Sequence, residues 1–148
     1  MLKGIDSALT AEMLMVLMSM GHGDDLLICD VNHPAATIAK ATTYGRVVDM
    51  AGSDLPRAAE AILSLMPLDS FVPAPVIRME VVDEPDHIMP VHKRVHRVVN
   101  DVEGRPVTMK ALDRFAFYDA AKLAFAVIRT SDPGPYGCFL LRKGVVDT

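Results

Sequence analysis

Leu26-Leu27-Ile28-Cys29 is a run of four apolar residues bounded by Gly23-Asp24-Asp25 before it and Asp30-Val31-Asn32-His33-Pro34 after it. So short a continuous run predicts a strand covered on both faces rather than a helix. Further short apolar stretches predict strands over residues 46–49, 76–82, 107–112, 125–129 and 138–141. Pro34 ends the first of them and holds His33 in extended geometry, which places a loop at the strand's carboxyl end.

Helical signals fall between these strands. Thr10 is a candidate N-cap with Glu12 in the first turn, and Gly21 stops the segment. Met13, Met15, Met18 and Met20 within it read as core or interface filler. Ser53 can cap a helix over 55–66 with Pro56 in its first turn, and Asp113 can cap one over 114–124. A more polar helix is expected over 87–102, ending near Gly104 and Pro106. Strands alternating with helices predict a single layered α/β domain over 1–148, with a mixed sheet flanked by helices. The last two strands, joined by a short loop, are expected to pair antiparallel.

A chain of 148 residues can bury a sizeable core, and 51% apolar with 23% charged residues is ordinary for a globular protein. The net charge of −4, with both signs interspersed, gives no footprint for nucleic acid. No apolar run approaches the ~20 residues of a membrane span, and the first residues lack a secretory pattern, so a cytoplasmic setting is expected. Cys29 and Cys138, both in apolar stretches and without a CxxC pattern, read as buried thiols.

Glycines on both sides of His22 free its backbone and favour exposure of an imidazole, a group that exchanges protons near neutral pH. The competing reading is a structural histidine at a helix end. Asp24 and Asp25 stand beside it, but no second ligand set at metal spacing accompanies them. Asp30 can accept hydrogen bonds from a sugar hydroxyl, orient an imidazole, or cap the turn that follows. In α/β folds the loop after a strand is a common ligand site, so Asp30, Asn32 and His33 share a candidate mouth. Arg114 can fork toward ligand oxygens or form a surface ion pair. Tyr136, in Gly134-Pro135-Tyr136-Gly137, can offer a hydroxyl at the same mouth or serve the turn alone. His92 and His96 are four apart, without the glutamate a zinc protease needs between them, and are expected on a solvated helix face.

These pieces are collinear with a known pattern. Met1-Leu2-Lys3-Gly4-Ile5, Met20-Gly21-His22-Gly23-Asp24-Asp25, Asp30 with Asn32 and Pro34-Ala35, Leu68-Asp69-Ser70, Arg114-Phe115-Ala116-Phe117-Tyr118, Ala121-Lys122-Leu123-Ala124, and Tyr136-Gly137 with Leu140-Leu141-Arg142-Lys143-Gly144 occur in order from end to end. The chain thus resembles the sugar mutarotase family of L-fucose mutarotase and D-ribose pyranase. The resemblance implies anomer exchange of a monosaccharide without a cofactor or metal, in homo-oligomers that are often ring-like decamers with sites near subunit contacts. It implies His22 as the acid/base, with Asp30, Arg114, Tyr136, Gly137 and Cys138 binding the sugar. Arg114 stands where the ribose branch carries histidine, which favours L-fucose or a related pyranose. Two departures stand near the site: Cys138 replaces the usual asparagine, and His33 replaces the aromatic usual in fucose-type members.

Overall fold

The computed structural model describes residues 2–146; Met1, part of the opening matched stretch, lies outside them. In chain order the elements are α1 (Ala11–Ser19), β1 (Asp25–Cys29), α2 (Ala35–Ala39), β2 (Val47–Met50), α3 (Leu55–Leu63), β3 (Val76–Met79), α4 (Pro90–Glu103), β4 (Met109–Leu112), α5 (Arg114–Lys122), β5 (Ala126–Thr130) and β6 (Cys138–Arg142). The strands form one sheet in the order β2-β5-β1-β6-β3-β4. β2, β5 and β1 run parallel, β3 runs parallel to β4, and β6 is antiparallel to both its neighbours, β1 and β3. The sheet is mixed, as expected.

β5 and β6 do not pair. β1 lies between them, with Leu27 opposite Val127 on one side and Leu140 on the other. The loop between them is long enough to cross one strand, and inserting β1 buries its apolar residues Leu26 to Cys29 on both faces and both edges.

Side-chain alternation along β1 builds two cores. Leu26 and Ile28 join α1, α3 and α4, with Val16, Ile62, Val95 and Phe139 among the buried partners. Leu27 and Cys29 face α2 and α5, packing with Ile38, Phe117, Ala121 and Leu140. Helices therefore cover both faces of the sheet. Asp54, not Ser53, caps α3 by accepting from Arg57 N, and Asp113 caps α5 by accepting from Phe115 N and Ala116 N. β3 stops at Met79 rather than continuing to residue 82, because its partner β4 ends at Leu112 and Glu80 N makes the final bond to Leu112 O. Residues 80–89 then form a loop that turns at Asp83, whose φ is 63°.

This topology gives the sheet two distinct ends. The carboxyl ends of the five parallel strands and the start of antiparallel β6 lie together at one end of the sheet, where ligands of open α/β folds collect. The amino end of β1 and the tail of β6 lie at the other, tied by Gly23 N donating to Lys143 O at 2.9 Å.

Candidate functional site

At the carboxyl end of β1, Asp30 is 1% exposed and clasps two loops. Its Oδ1 accepts from Asn32 N at 2.7 Å and His33 N at 3.0 Å, and its Oδ2 accepts from Gly137 N at 2.8 Å. Burial raises its carboxyl above the ordinary value, while these backbone donors partly offset that rise. Gly137 is required by space, since a Cβ there would collide with Leu55 Cδ1 and crowd the Asp30 carboxylate.

The clasped loops line a cavity of about 280 Å³ that also takes in Met79, Arg114, Tyr118, Pro135, Tyr136 and Cys138. Asp113 caps α5 and so sets Arg114 at the helix's first position, where its guanidinium lies 4.9 Å from the Phe115 ring centroid. Tyr136 takes a left-handed φ of 59°, uncommon for a side chain of its size. Three contacts hold it there. Its hydroxyl accepts from Val82 N at 3.3 Å, and its carbonyl accepts from Cys138 N at 2.9 Å and faces His92 Nε2 at 3.0 Å.

His92 corrects the expectation of a solvated helix face: it is fully buried, on the side of α4 that carries Val91, Val95 and Val99. Met89 N donates to its Nδ1 at 3.2 Å, so the proton sits on Nε2 and is donated to Tyr136 O. His96 Nε2 faces Val107 O at 2.7 Å. Each imidazole thus has a backbone partner and neither serves a metal pair. Among the described residues no cluster of three or more His, Cys, Asp or Glu is placed to hold a metal ion.

Cys138 Sγ lies 3.2 Å from His33 Nδ1 and 3.8 Å from Asp30 Oδ2. Burial pushes the thiol up and holds the His33 imidazole down to about 4, so both are neutral near pH 7. Cys29 is buried and free on the same strand end, its thiol also pushed up by burial.

His22 is not in this cavity. It precedes the amino end of β1, and the five residues of that strand alone separate it from Asp30 by about 17 Å. There Gly23 adopts φ of 85°, Asp24 Oδ2 accepts from Gly21 N at 2.7 Å, and the His22 side chain is 46% exposed. Its Nε2 lies 3.3 Å from Asp69 Oδ1, and its ring meets Phe71 edge-on with centroids 5.5 Å apart. Asp69 is itself buried, and its carboxyl is lowered chiefly by the Phe71 N–H and further by His22. Asp25 takes no part, being bonded to the Arg142 guanidinium through both carboxylate oxygens at 2.9 Å.

One chain therefore holds a polar cavity and, at the opposite end of the sheet, an imidazole 3.3 Å from a buried carboxylate. Asp69, His92 and Val82 are contributors not singled out from the sequence as site residues. Asp69 stood within the collinear Leu68-Asp69-Ser70 stretch, and His92 adjoins an apolar stripe at helical spacing, so each carried a signal.

The same fold and chain length recur in known proteins. The crystal structure of protein Atu2016 superposes with a TM-score of 0.96 at 46% identity, covering 99% of this chain and 97% of that one. The fucose mutarotase of Streptococcus pneumoniae, solved in complex with L-fucose, gives 0.88 at 32% identity, covering 99% and 100%. The fucose mutarotase of Mus musculus is 38% identical over 149 residues, covering 99% of this chain and 95% of its own. Residues 3–146 match the RbsD / FucU transport protein family, and with full-length relatives at this identity the chain belongs to that family.

Proposed function

We propose that this chain, as a single mutarotase domain over 1–148, interconverts the α and β anomers of L-fucose or a related pyranose. The observation that carries the reading is the cavity at the strands' carboxyl ends, small and lined by Arg114, Tyr136 and the Asp30 clasp, in a chain whose full-length relatives are named fucose mutarotases. In this reading Arg114 and the Tyr136 hydroxyl meet sugar oxygens, and the backbone at Gly137 and Cys138 shapes the floor. Asp30 fixes both loops and keeps one lone pair for a sugar hydroxyl.

Anomer exchange needs a proton delivered to the ring oxygen as another leaves the anomeric hydroxyl. The open aldehyde then turns about its C1–C2 bond and closes on the other face. A positioned acid/base supplies about 10²–10⁴-fold. His22 fills that role, with Asp69 accepting from Nε2–H and leaving Nδ1 to exchange the proton. Its distance from the cavity supports a role in the site of a neighbouring copy in a homo-oligomer. Phe71 beside His22 is 71% exposed and Phe115 beside Arg114 is 68% exposed, so each half-site carries an uncovered aromatic that a second copy would bury. Contacts between unlike ends of a chain are heterologous and form a ring where the rotation between copies closes, the arrangement a ring-like decamer would use.

The test is exchange NMR on the anomeric protons of L-fucose and D-ribose with catalytic amounts of protein. Faster exchange of L-fucose is expected. Faster ribose turnover would indicate a pyranase, and binding without exchange a non-catalytic sugar-binding protein. That last alternative draws its support from the separation of His22 and the cavity within one chain. A cytoplasmic setting fits this chemistry, and no helix among the described residues is long and apolar enough to cross a membrane.

A further inference from the structure

His33 is 7% exposed, lines the cavity beside Asp30 and Cys138, and has a buried Nε2 without a partner among the described residues. Every other buried side-chain nitrogen or oxygen among those residues is satisfied. A buried polar atom left unpaired is costly and calls for an explanation, and a ligand-binding cavity provides one.

The other side of the ring is occupied. Cys138 Sγ stands 3.2 Å from Nδ1. An imidazole nitrogen is a better acceptor than a thiol sulfur, so the S–H donates to Nδ1 and the ring proton resides on Nε2. The rings of Tyr118 and Phe117 meet the imidazole edge-on at 5.6 Å and 6.3 Å, and the His33 backbone N–H is held by Asp30. The imidazole is thus fixed by packing on both sides, by a thiol at one nitrogen and by its own backbone, with a single donor unspent.

We propose that His33 is a further substrate contact of this cavity, its Nε2–H donating to a hydroxyl of the bound sugar, with Cys138 as the positioning residue that fixes its tautomer. The proposal rests on the reading that the cavity takes a monosaccharide, and it adds a contact, His33, that is absent from those implied by resemblance. His33 and Cys138 are both departures from the fucose-type pattern, and they touch each other. Sites built to bond a hydroxyl reject analogues that lack it, because the protein group is then stranded.

The experiment titrates protein carrying ¹⁵N-labelled histidine with L-fucose, its 2-, 3- and 4-deoxy analogues and D-ribose, following the His33 ring nitrogens while anomer exchange is recorded on the same samples. His33→Phe and Cys138→Ser are examined in parallel. The free protein should show a neutral imidazole protonated at Nε2, whose resonance moves on saturation with sugar. One deoxy analogue should bind about tenfold more weakly than its parent, a penalty that should shrink to about twofold or less in His33→Phe and persist in Cys138→Ser. His33→Phe should also raise the thermal midpoint of the sugar-free protein, since it removes the stranded nitrogen while keeping a ring. A sugar that binds without moving the Nε2 resonance, or a deoxy penalty unchanged in His33→Phe, overturns the proposal. An Nε2 shift without accelerated exchange leaves His33 a sugar contact and overturns the mutarotase reading alone. If no sugar in the panel perturbs the cavity, both fall.

Discussion

Asp30 and Gly137 exchange two hydrogen bonds: Asp30 N donates to Gly137 O at 2.8 Å, and Gly137 N returns a bond to Asp30 Oδ2 at 2.8 Å. This pair joins the end of β1 to the entry of β6, and the cavity is built around it. Gly137→Ala sets a methyl group against Leu55 and the carboxylate. A loss of about 1–3 kcal/mol is expected from overpacking, together with loss of sugar binding. Denaturant unfolding and sugar titration check the two effects, and a variant of unchanged stability would contradict the packing.

Asp30→Asn tests the clasp by hydrogen-bond count. An amide keeps one oxygen for Asn32 N and His33 N but turns an NH₂ toward Gly137 N–H, leaving that buried donor unpaired. A cost of about 1–3 kcal/mol is expected. Amide hydrogen exchange should show faster opening at Gly137 than at the centre of β1.

His92 reaches the site without touching it. Its two nitrogens pin Met89 N and Tyr136 O, which fixes Tyr136 at its left-handed φ. His92→Phe keeps the edge-on ring near Phe139 but loses both bonds. KM for the sugar should rise by roughly tenfold as the Tyr136 hydroxyl loses its place, with a smaller change in kcat. Equal loss in kcat alone would contradict a positioning role.

Acid should weaken the fold through His33 and His92. Burial lowers both from an ordinary 6.5 to about 4. The unfolded chain therefore binds more protons than the folded one between these values, and stability falls as pH drops from about 6.5 toward 4, by up to about 1.4 kcal/mol per pH unit for each histidine. The raised carboxyl of Asp30 works in the opposite direction and softens the loss at the acid end. Thermal midpoints from pH 7 to 4.5 should slope steeply for the native chain and less steeply for His33→Phe and for His92→Phe.

The α/β class and most elements were legible because apolar runs and caps carry local signals: β1, β5 and β6 fall within a residue of their expected spans, and Thr10 and Asp113 cap as expected. Residues that depend on long-range order were not. The five-residue α2 is too short to show a helical period, and the expected β5–β6 pairing does not form because insertion of β1 is decided by the whole sheet. Asp30, Arg114, Tyr136 and Cys138 line one cavity, and Gly137 bonds to the Asp30 carboxylate behind it. Spacing that marked the His22 turn as exposed could not reveal that β1 carries it to the far end of the sheet.

In the proposed assembly, His22 of one copy completes the Arg114 cavity of another. Two variants, His22→Ala and Arg114→Ala, each inactive alone, are co-assembled in equal amounts and assayed for L-fucose anomer exchange. Random assembly with composite sites should restore about a quarter of the native rate, because such sites pair an intact cavity with an intact imidazole. Mixed oligomers that remain as inactive as either variant would show that each chain must supply both groups itself, and would contradict the account.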